Sequence, residues 1–464
     1  MEGIAVNKSN ENIKSLEVTK NSIVQNNDIR VYRRRLWMLC LFSFLSMLCG
    51  MLFPLYVSTA NVTMCFYDVG MEAVNWTSMI VLFVYAVLAF PASSLINYMD
   101  LRWTVICTSF WNVLATLTQF ATLKPNSFIY VMVSCFFASL SDLFVLAVPP
   151  VLAAKWFPSQ ELSKACAFGV FGNQLGIALA FVLPTQIVSS ECSQKDLIST
   201  GKGNLATILS SVNIVVFILV VFTFQNAPKF PPSISEAHKK KEDDQSHSQV
   251  VLSMIKNRNF ILVFIMYGMM VGCFFAMSTN LNNLMLHFFP HKEVEIGWMG
   301  LLFVVAGLVG SMIFGFILDC THRFKETAFS VCVASFITCL VFSVCLYLEQ
   351  IWIQFLTIGI YGFFLTSFLP IGFEYGIEVT YPLPEVVCAV LLNGSTMIFG
   401  IIIIEMQSHI LESKGPVLSN ASIAAVLFLC CIVTSFISKD YKRSQKNAEN
   451  KCPVPIDNYH FTYI

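Results

Sequence analysis

Long apolar runs alternate with short polar segments along the chain from residue 36 onward. A helix that crosses the hydrocarbon core of a bilayer needs about 20 mostly apolar residues. By this criterion the pattern predicts twelve spanning helices. They cover residues 36–59, 76–98, 103–122, 128–154, 163–188, 204–226, 259–287, 296–318, 326–347, 350–377, 385–411 and 417–438.

Longer polar segments flank and divide these runs. Residues 1–35 lack the short apolar core of a signal peptide and are expected to form a disordered cytoplasmic tail. Residues 227–258 combine prolines with a basic and an acidic run, which indicates a solvated cytoplasmic linker. Residues 439–464 form the second expected cytoplasmic tail. The linker separates an N-terminal half, 36–226, from a C-terminal half, 259–438, each with six predicted spans.

Basic residues indicate the orientation, because the cytoplasmic loops of membrane proteins carry an excess of Lys and Arg. With the N-terminus in the cytoplasm, 23 of the 28 Lys and Arg lie on the cytoplasmic side. Twelve spans then place both termini inside the cell. We expect a monomeric, multi-pass protein of the plasma membrane. The remaining five basic residues lie in the predicted outer loops: Lys124, Lys195, Lys202, Lys292 and Lys414.

Composition supports the membrane assignment and argues against nucleic-acid binding and enzymatic activity. Apolar residues make up 56% of the chain and charged residues 12%, which is about half the charged fraction of a soluble domain. Acidic and basic residues both number 28, so the basic excess typical of nucleic-acid binding is missing. The sequence also lacks a nucleophile–base pair, metal-ligand spacing and a Walker motif. We therefore expect no enzymatic activity, no cofactor and no metal.

The predicted outer loops leave two questions open. Of the 16 cysteines, Cys65 and Cys192 fall in these loops, where they are either bridged or free thiols. Most other cysteines lie in apolar runs, where Cys behaves as a small hydrophobic residue. Asn61 and Asn75 begin N-glycosylation sequons in the first outer loop. We expect neither to be occupied, because such sequons are common by chance and Asn75 lies close to a helix start.

Two segments repeat each other at an offset of 224 residues. In each copy a proline precedes a glutamate by three residues, and a glycine follows that glutamate by fifteen: Glu161 precedes Gly176, and Glu385 precedes Gly400. Both copies lie between the fourth and fifth span of their half. Two six-span halves in parallel register, joined by a cytoplasmic linker, are the plan of the major facilitator superfamily. The expected fold is an all-α membrane protein of that type, with 12 transmembrane helices in two six-helix pseudo-repeats that rock about a midplane site.

Charged residues cluster where the predicted spans meet the cytoplasm. We assign five of them to a conformational gate on that side. The alternative for the later members of the set is a solvated cluster of charges around Lys325. The five residues are Glu161, Asp319, Arg323, Glu374 and Glu378.

Polar residues inside the spans are candidates for the substrate site, because burying them in a bilayer is unfavourable. Asp142 is either a substrate or proton group or a hydrogen-bonding partner in packing, and Glu405 leaves the same two alternatives. The motif GNQLG at 172–176 places two amides among glycines in the fifth span. Glycines allow close helix approach, whereas amides must be paired or face water or ligand. We expect Gln174 to contact the substrate.

Aromatic residues of the first, second and seventh spans are further candidates. A quaternary ammonium group forms no ordinary hydrogen bonds and is bound by ring faces through cation–π attraction. The chain has 42 Phe, so lipid contact or packing is the alternative for each ring. The candidates are Phe53, Tyr56, Trp76, Phe274 and Phe275.

Several motifs resemble those of the FLVCR family, the feline leukaemia virus subgroup C receptor-related transporters. The similarity extends over nearly all of residues 33–443. It implies facilitated diffusion of choline and ethanolamine by alternating access, with haem transport as the older proposal for the family. The motifs are NWTSM at 75–79, KWFPSQE at 155–161, GNQLG at 172–176, VVAGLVG at 304–310, LPIGFE at 369–374 and EVTYP at 378–382.

The resemblance also implies which residues surround the amine. Trp76 and Gln174 match the family's second-span Trp and fifth-span Gln. Other positions depart from the pattern, and replacing Trp or Tyr by Phe keeps a ring face but weakens it. Phe53 stands where the family has Trp, Phe275 where it has Tyr, and Met397 and Asp142 where it has Gln.

The sequence thus predicts a carrier of choline- or ethanolamine-like organic cations in a lipid bilayer. One alternative is a haem carrier, for which Tyr56 and Met397 are candidate ligands. The alternative of another class is a receptor or sensor with a transporter fold, which would bind a ligand without moving it. The predicted substrate residues are Phe53, Tyr56, Trp76, Asp142, Gln174, Phe275 and Met397.

Overall fold

A computed structural model describes residues 31–158, 161–228, 230, 247–381, 383 and 385–438. Fifteen α-helices form most of this part of the chain. In the N-terminal half they are α1 Arg34–Gly50, α2 Ala60–Tyr67, α3 Met71–Tyr98, α4 Leu101–Thr118, α5 Phe128–Val145, α6 Val148–Trp156, α7 Leu162–Ile187 and α8 Lys195–Thr223. The others are α9 His247–Lys256, α10 Arg258–Leu286, α11 Glu293–Thr321, α12 Phe324–Cys345, α13 Ile351–Thr380, α14 Glu385–Lys414 and α15 Pro416–Phe436. The predicted tails, apart from 31–35, and the middle of the predicted linker lie outside the described residues.

The helices follow the twelve predicted spans closely. Ten segments of the helical structure are long and apolar enough to cross a membrane. The remaining two predicted spans correspond to α1 with the turns that follow it, and to α4. In α4 the amide of Asn112 lowers the hydropathy, and its Nδ2 donates a 2.7 Å hydrogen bond to Oδ1 of Asn213 in α8. This pairing satisfies two buried amides, as a position inside a bilayer requires.

Two of the predicted spans are broken helices. In the first span the helix ends at Gly50 and turns follow at 51–59, around Pro54, whereas the fourth span is interrupted between α5 and α6, next to Pro149 and Pro150. Proline has no backbone N–H and clashes with the preceding helical turn, so it favours a break in a helix. Hydropathy does not register such breaks, because the residues on both sides remain apolar.

A disulfide marks one end of the helix bundle. Cys65 of α2 is bonded to Cys192, just before α8, with 5.9 Å between their α-carbons. Of the two alternatives that the sequence left open, the structure therefore has the bridge. We call this side of the bundle the disulfide end, and the opposite side, where α1 begins and α15 ends, the linker end.

Both halves use the same close helix contact. Gly172 and Gly176 place the backbone of α7 directly against that of α1, because a Cβ at either position would overlap the carbonyl groups of Ser43 and Met47. In the C-terminal half, Gly272 brings α10 close to α14, because a Cβ there would lie 2.8 Å from the Ile403 side chain and 3.1 Å from the Phe399 backbone. The α1–α7 pair and the α10–α14 pair each join helices of the first and fifth predicted spans of their half.

This contact allows a stability prediction. Gly176→Val inserts a side chain where α1 already lies, and overpacking of this kind costs about 1–3 kcal/mol or more. We expect a lower midpoint of thermal unfolding for the purified protein. The matched control is Gly394→Ala, also a glycine inside a helix, because a Cβ there meets nothing within 4 Å. Equal midpoints for Gly176→Val and Gly394→Ala would contradict the packing.

Candidate functional site

The α1–α7 contact determines where Gln174 lies. Asn173 faces α1, and its Nδ2 donates a 3.4 Å hydrogen bond to the carbonyl oxygen of Ser46. Gln174, one residue further along the helix, is half-buried. Its Oε1 is buried and has no hydrogen-bond partner among the described residues. Gln174 therefore presents an unused acceptor in the middle of the fifth span.

The face of α7 that carries Gln174 is covered at one end and exposed at the other. Ala167, Gln174 and Phe181 are spaced by seven residues and so share a face. Phe181 packs against Gly297 and Gly300 of α11, toward the disulfide end. Ala167, toward the linker end, is exposed. The two halves thus meet at the disulfide end, and Gln174 lies at the transition to the exposed part of α7.

Two of the predicted rings meet at the junction of the halves. Phe53, in the turns between α1 and α2, forms an edge-on contact with Phe275 of α10, with 5.4 Å between ring centroids. Phe53 is buried and Phe275 half-buried. Met397 is buried in α14, one turn from Gly400, whose α-carbon faces the Phe275 ring. Phe274 points elsewhere, because it stacks on Phe303 within the C-terminal half, with centroids 5.5 Å apart.

The structure does not bring Trp76 to this ring pair. Trp76 lies on an exposed stripe of α3 together with Phe83 and Val87, and 41% of its surface is accessible. Ser78 and Tyr85, on the other side of the same helix, are buried. Trp76 thus lies on the face of α3 opposite these two buried residues. Its role as a wall of the amine site stays a prediction.

Tyr56 and Glu405 also lie away from the ring pair. Tyr56 packs beside Lys202 within the N-terminal half. Glu405 lies on an exposed face of α14 with Ile398 and Ile402. The position of Glu405 therefore supports neither of the two roles left open for it, substrate contact and packing.

Asp142 occupies the middle of the fourth span, where α5 passes α1 and α3. Its side chain is buried, and Oδ1 has no hydrogen-bond partner in the described part of the chain. The hydroxyl of the adjacent Ser141 lies 3.1 Å from Sγ of Cys49 in α1. The Tyr85 hydroxyl interacts with the Asp142 carboxyl and with the Asn393 side chain of α14. The surroundings of Asp142 thus extend from the N-terminal half to the C-terminal half.

Buried amides join the halves nearer the disulfide end. Nδ2 of Asn75 in α3 donates to Oγ of Ser408 at 2.7 Å and to Oδ1 of Asn280 at 3.3 Å. Nδ2 of Asn280 donates in turn to Oε1 of Gln407 at 3.1 Å. All four side chains are buried. We call these four residues the amide lock.

A second set of contacts lies closer to the bundle surface. Nδ2 of Asn61 in α2 donates to Oε1 of Glu293 in α11 at 3.0 Å, and Nδ2 of Asn282 in α10 donates to the carbonyl oxygen of Ser58 at 3.0 Å. The sequence marked Asn61 and Asn75 only as sequons. The amides inside the seventh and eleventh spans could have indicated that these spans form buried hydrogen bonds, since such groups require partners in a bilayer.

The amide lock gives a prediction about opening. Asn75→Ala removes two hydrogen bonds between the halves, each worth about 1 kcal/mol, so we expect the disulfide end to open about thirtyfold more often. A membrane-impermeant maleimide should then label a cysteine at the buried Thr279 faster, relative to protein without that cysteine. The matched control is Asn112→Ala, which breaks a buried amide pair inside one half and should leave labelling unchanged. Equal labelling rates in the Asn75 and Asn112 variants would contradict the lock.

Two basic side chains at the linker end, those of Arg35 and Lys325, each fasten two helices of one half. An oxygen of Glu161 lies 2.8 Å from a guanidinium nitrogen of Arg35, which also lies over the Phe157 ring. This pair fastens α1 to the start of α7 within the N-terminal half. Nζ of Lys325 donates to the carbonyl oxygen of Ser435, fastening α12 to the end of α15. These contacts brace individual halves.

The remaining gate candidates lie on α11 to α13. Glu378 is buried, whereas Glu374 and Arg323 are exposed. Glu374 interacts electrostatically with Cys166 of α7, across the boundary between the halves. The side chain of Asp319 lies outside the described residues. Glu374 is thus a predicted gate residue that lies next to the opposite half.

Comparison with known proteins identifies the family. Residues 36–366 match the Major Facilitator Superfamily. The chain is 37% identical over 422 residues to the choline/ethanolamine transporter flvcr2a of Danio rerio, covering 90% of each protein. It is 34% identical over 423 residues to the choline/ethanolamine transporter FLVCR2 of Homo sapiens, covering 91% of this chain and 80% of that protein. The chain belongs to the FLVCR family of the major facilitator superfamily. It is therefore a membrane transporter, as the sequence predicted.

Solved structures show the fold of this FLVCR-family chain independently. A bacterial homologue of the human lysosomal transporter Spinster, in an inward-facing conformation, superposes with a TM-score of 0.68 at 11% identity, covering 88% of this chain and 98% of that one. The Escherichia coli fucose:proton symporter FucP superposes with a TM-score of 0.61 at 14% identity, covering 88% and 100%. The predicted twelve-span, two-half architecture is thus confirmed.

Proposed function

We propose that this FLVCR-family chain is a facilitative carrier of choline- or ethanolamine-like cations that works as a monomer in the plasma membrane. The observation that carries the proposal is the Phe53–Phe275 ring pair, which lies where the two halves meet. A methylated ammonium group placed against desolvated ring faces gains about 2 kcal/mol from cation–π attraction. The relatives named above as choline/ethanolamine transporters support this substrate class.

Two polar groups complete the proposed site. The buried carboxyl of Asp142 supplies a hydrogen-bond acceptor and, when it is ionised against a bound cation, a negative charge whose attraction is stronger inside a protein than in water. The unused Oε1 of Gln174 can accept a hydrogen bond from the ammonium of ethanolamine or from the hydroxyl of choline. Charge and acceptor compensate for the weaker attraction of Phe compared with Trp. Trp76 has no part in this proposal.

Transport requires the two ends of the bundle to open in turn. In the described state the amide lock and the Asn61–Glu293 contact close the disulfide end, while α7 is exposed toward the linker end. We place the linker end in the cytoplasm, because basic residues favour that side and disulfides form in oxidising compartments. The described state is then inward-open, and outward opening must break the amide lock.

Flux measurements test this function. Purified full-length protein in liposomes should carry radiolabelled choline or ethanolamine down its gradient, with saturation and without an added ion gradient. Binding of either amine in detergent without flux in liposomes would instead indicate the receptor or sensor class. Efflux of haem from loaded liposomes, with no amine flux, would favour the haem alternative. Tyr56, a candidate haem ligand, packs within the N-terminal half and gives that alternative no support.

A further inference from the structure

A half-buried lysine lies within the N-terminal half, away from the amine site. Nζ of Lys202 in α8 donates a 2.8 Å hydrogen bond to the hydroxyl of Tyr67. The same nitrogen lies 4.0 Å from the centroid of the Tyr67 ring, 4.7 Å from that of Phe66 and 5.8 Å from that of Tyr56. The ammonium therefore sits against three rings. Within the described ranges no carboxylate lies within 4.0 Å of it.

The sequence alone placed Lys202 in an outer loop, as one of five exposed bases. In the structure it lies within the first third of α8, and its amine points back toward α2. A half-buried cation without a counter-charge is unfavourable unless another group compensates it. Ring faces supply part of that compensation.

A small cavity adjoins the amine. It has a volume of about 30 Å³, and Lys202 and Gln119 both line it, together with threonines of three neighbouring segments. Gln119 is 4% exposed, and its Nε2 has no acceptor among the described residues. A charged donor and an unused amide donor thus face one small cavity. The threonines are Thr59, Thr63 and Thr122.

We propose that this cavity is a binding site for a monovalent anion of halide size, chloride being the physiological one. An ammonium has three N–H donors, of which Tyr67 takes one, and a primary amide has two. An anion accepts from both groups and neutralises the lysine. A cavity of this volume holds one small ion and is too small for a lipid phosphate group.

The position of the site indicates what the anion stabilises. The cavity is bounded by the segment between α1 and α2, the short 3₁₀ turn Gln119–Leu123 and α8. Cys65 joins α2 to the start of α8 nearby, and Asn61 of α2 contacts the opposite half. A bound anion links these three segments of the N-terminal half and holds α2 in place. The site does not depend on which substrate the carrier moves.

Thermal unfolding of the purified full-length protein tests the site. Midpoints are measured in sodium chloride, sodium bromide, sodium sulfate and sodium gluconate at equal ionic strength. A ligand that binds the folded state raises the midpoint, so we expect chloride and bromide to raise it by about 2–4 °C with saturation. Sulfate and gluconate, which are too large for the cavity, should have no such effect.

Matched variants connect the effect to the site. Lys202→Met and Gln119→Leu should each abolish the halide-dependent rise, whereas Lys202→Arg should keep part of it. Lys195→Met, at an exposed lysine of the same helix, should leave it unchanged. If Lys202→Met does not fold, the halide dependence of the unfolding midpoint of Gln119→Leu alone decides whether the site exists. Equal midpoints in all four salts, or a halide effect that survives Gln119→Leu, would overturn the proposal and leave water as the occupant.

Discussion

Phe275→Ala is expected to reduce choline uptake at low substrate concentration about tenfold or more. The substitution removes one of the two rings at the junction of the halves, and a desolvated cation–π contact of about 2 kcal/mol corresponds to more than tenfold in affinity. The loss should appear as a higher KM, with the amount of protein at the cell surface unchanged. Initial uptake rates over a range of choline concentrations measure it.

Two controls separate a binding ring from a merely packed one. Phe275→Tyr restores the ring that the family shows at this position and should keep or improve the KM. Trp76→Ala removes a larger ring from the exposed stripe of α3 and should leave uptake unchanged. Loss of uptake in Trp76→Ala with normal uptake in Phe275→Ala would reverse the proposed site.

Asp142→Asn is expected to produce the second large effect. The variant keeps the shape of the side chain but removes its charge, and losing 1.4 kcal/mol of attraction corresponds to a tenfold weaker affinity for a cation. We expect at least that loss for ethanolamine and for choline. If Asp142 also carries a proton, uptake by the natural protein will depend on an imposed pH gradient, and the variant will lose that dependence.

Glu405→Gln is the matched control for this experiment. It removes a carboxylate of another span, which lies on an exposed face of α14. We expect uptake to be unaffected by it. Similar losses in both variants would mean that general membrane electrostatics, rather than a cation site at Asp142, controls uptake. A pH-gradient dependence that persists in Asp142→Asn would exclude the residue from proton coupling.

Spans, halves and family were predictable, because each is encoded locally. The length of an apolar run predicts a span, and short motifs such as GNQLG at 172–176 indicate the family directly from the sequence. The broken spans were not predictable in this way. Pro54, Pro149 and Pro150 lie in runs whose hydropathy is continuous, so the interruption depends on backbone geometry rather than on composition.

The site was predicted in part, because residue type and helix face are separate pieces of information. Phe53 and Phe275, which were predicted for the same site, lie in contact, whereas Trp76 lies on an exposed face of α3. Contacts between residues that are far apart along the chain could not be predicted from the sequence. Asn75 and Ser408 are 333 positions apart, and their hydrogen bond depends on how the two halves are placed against each other.

The hydrogen bonds of Asn61 and Asn75 have a consequence for biosynthesis. An N-linked sugar is attached through the same Nδ2 atoms that donate to Glu293 and Ser408. The Asn75 side chain is completely buried in the described state, so a sugar there would have to be accommodated between the halves. A sugar at either sequon would then prevent the two halves from closing at the disulfide end. A chain modified there during synthesis would be held in the conformation that is open at that end.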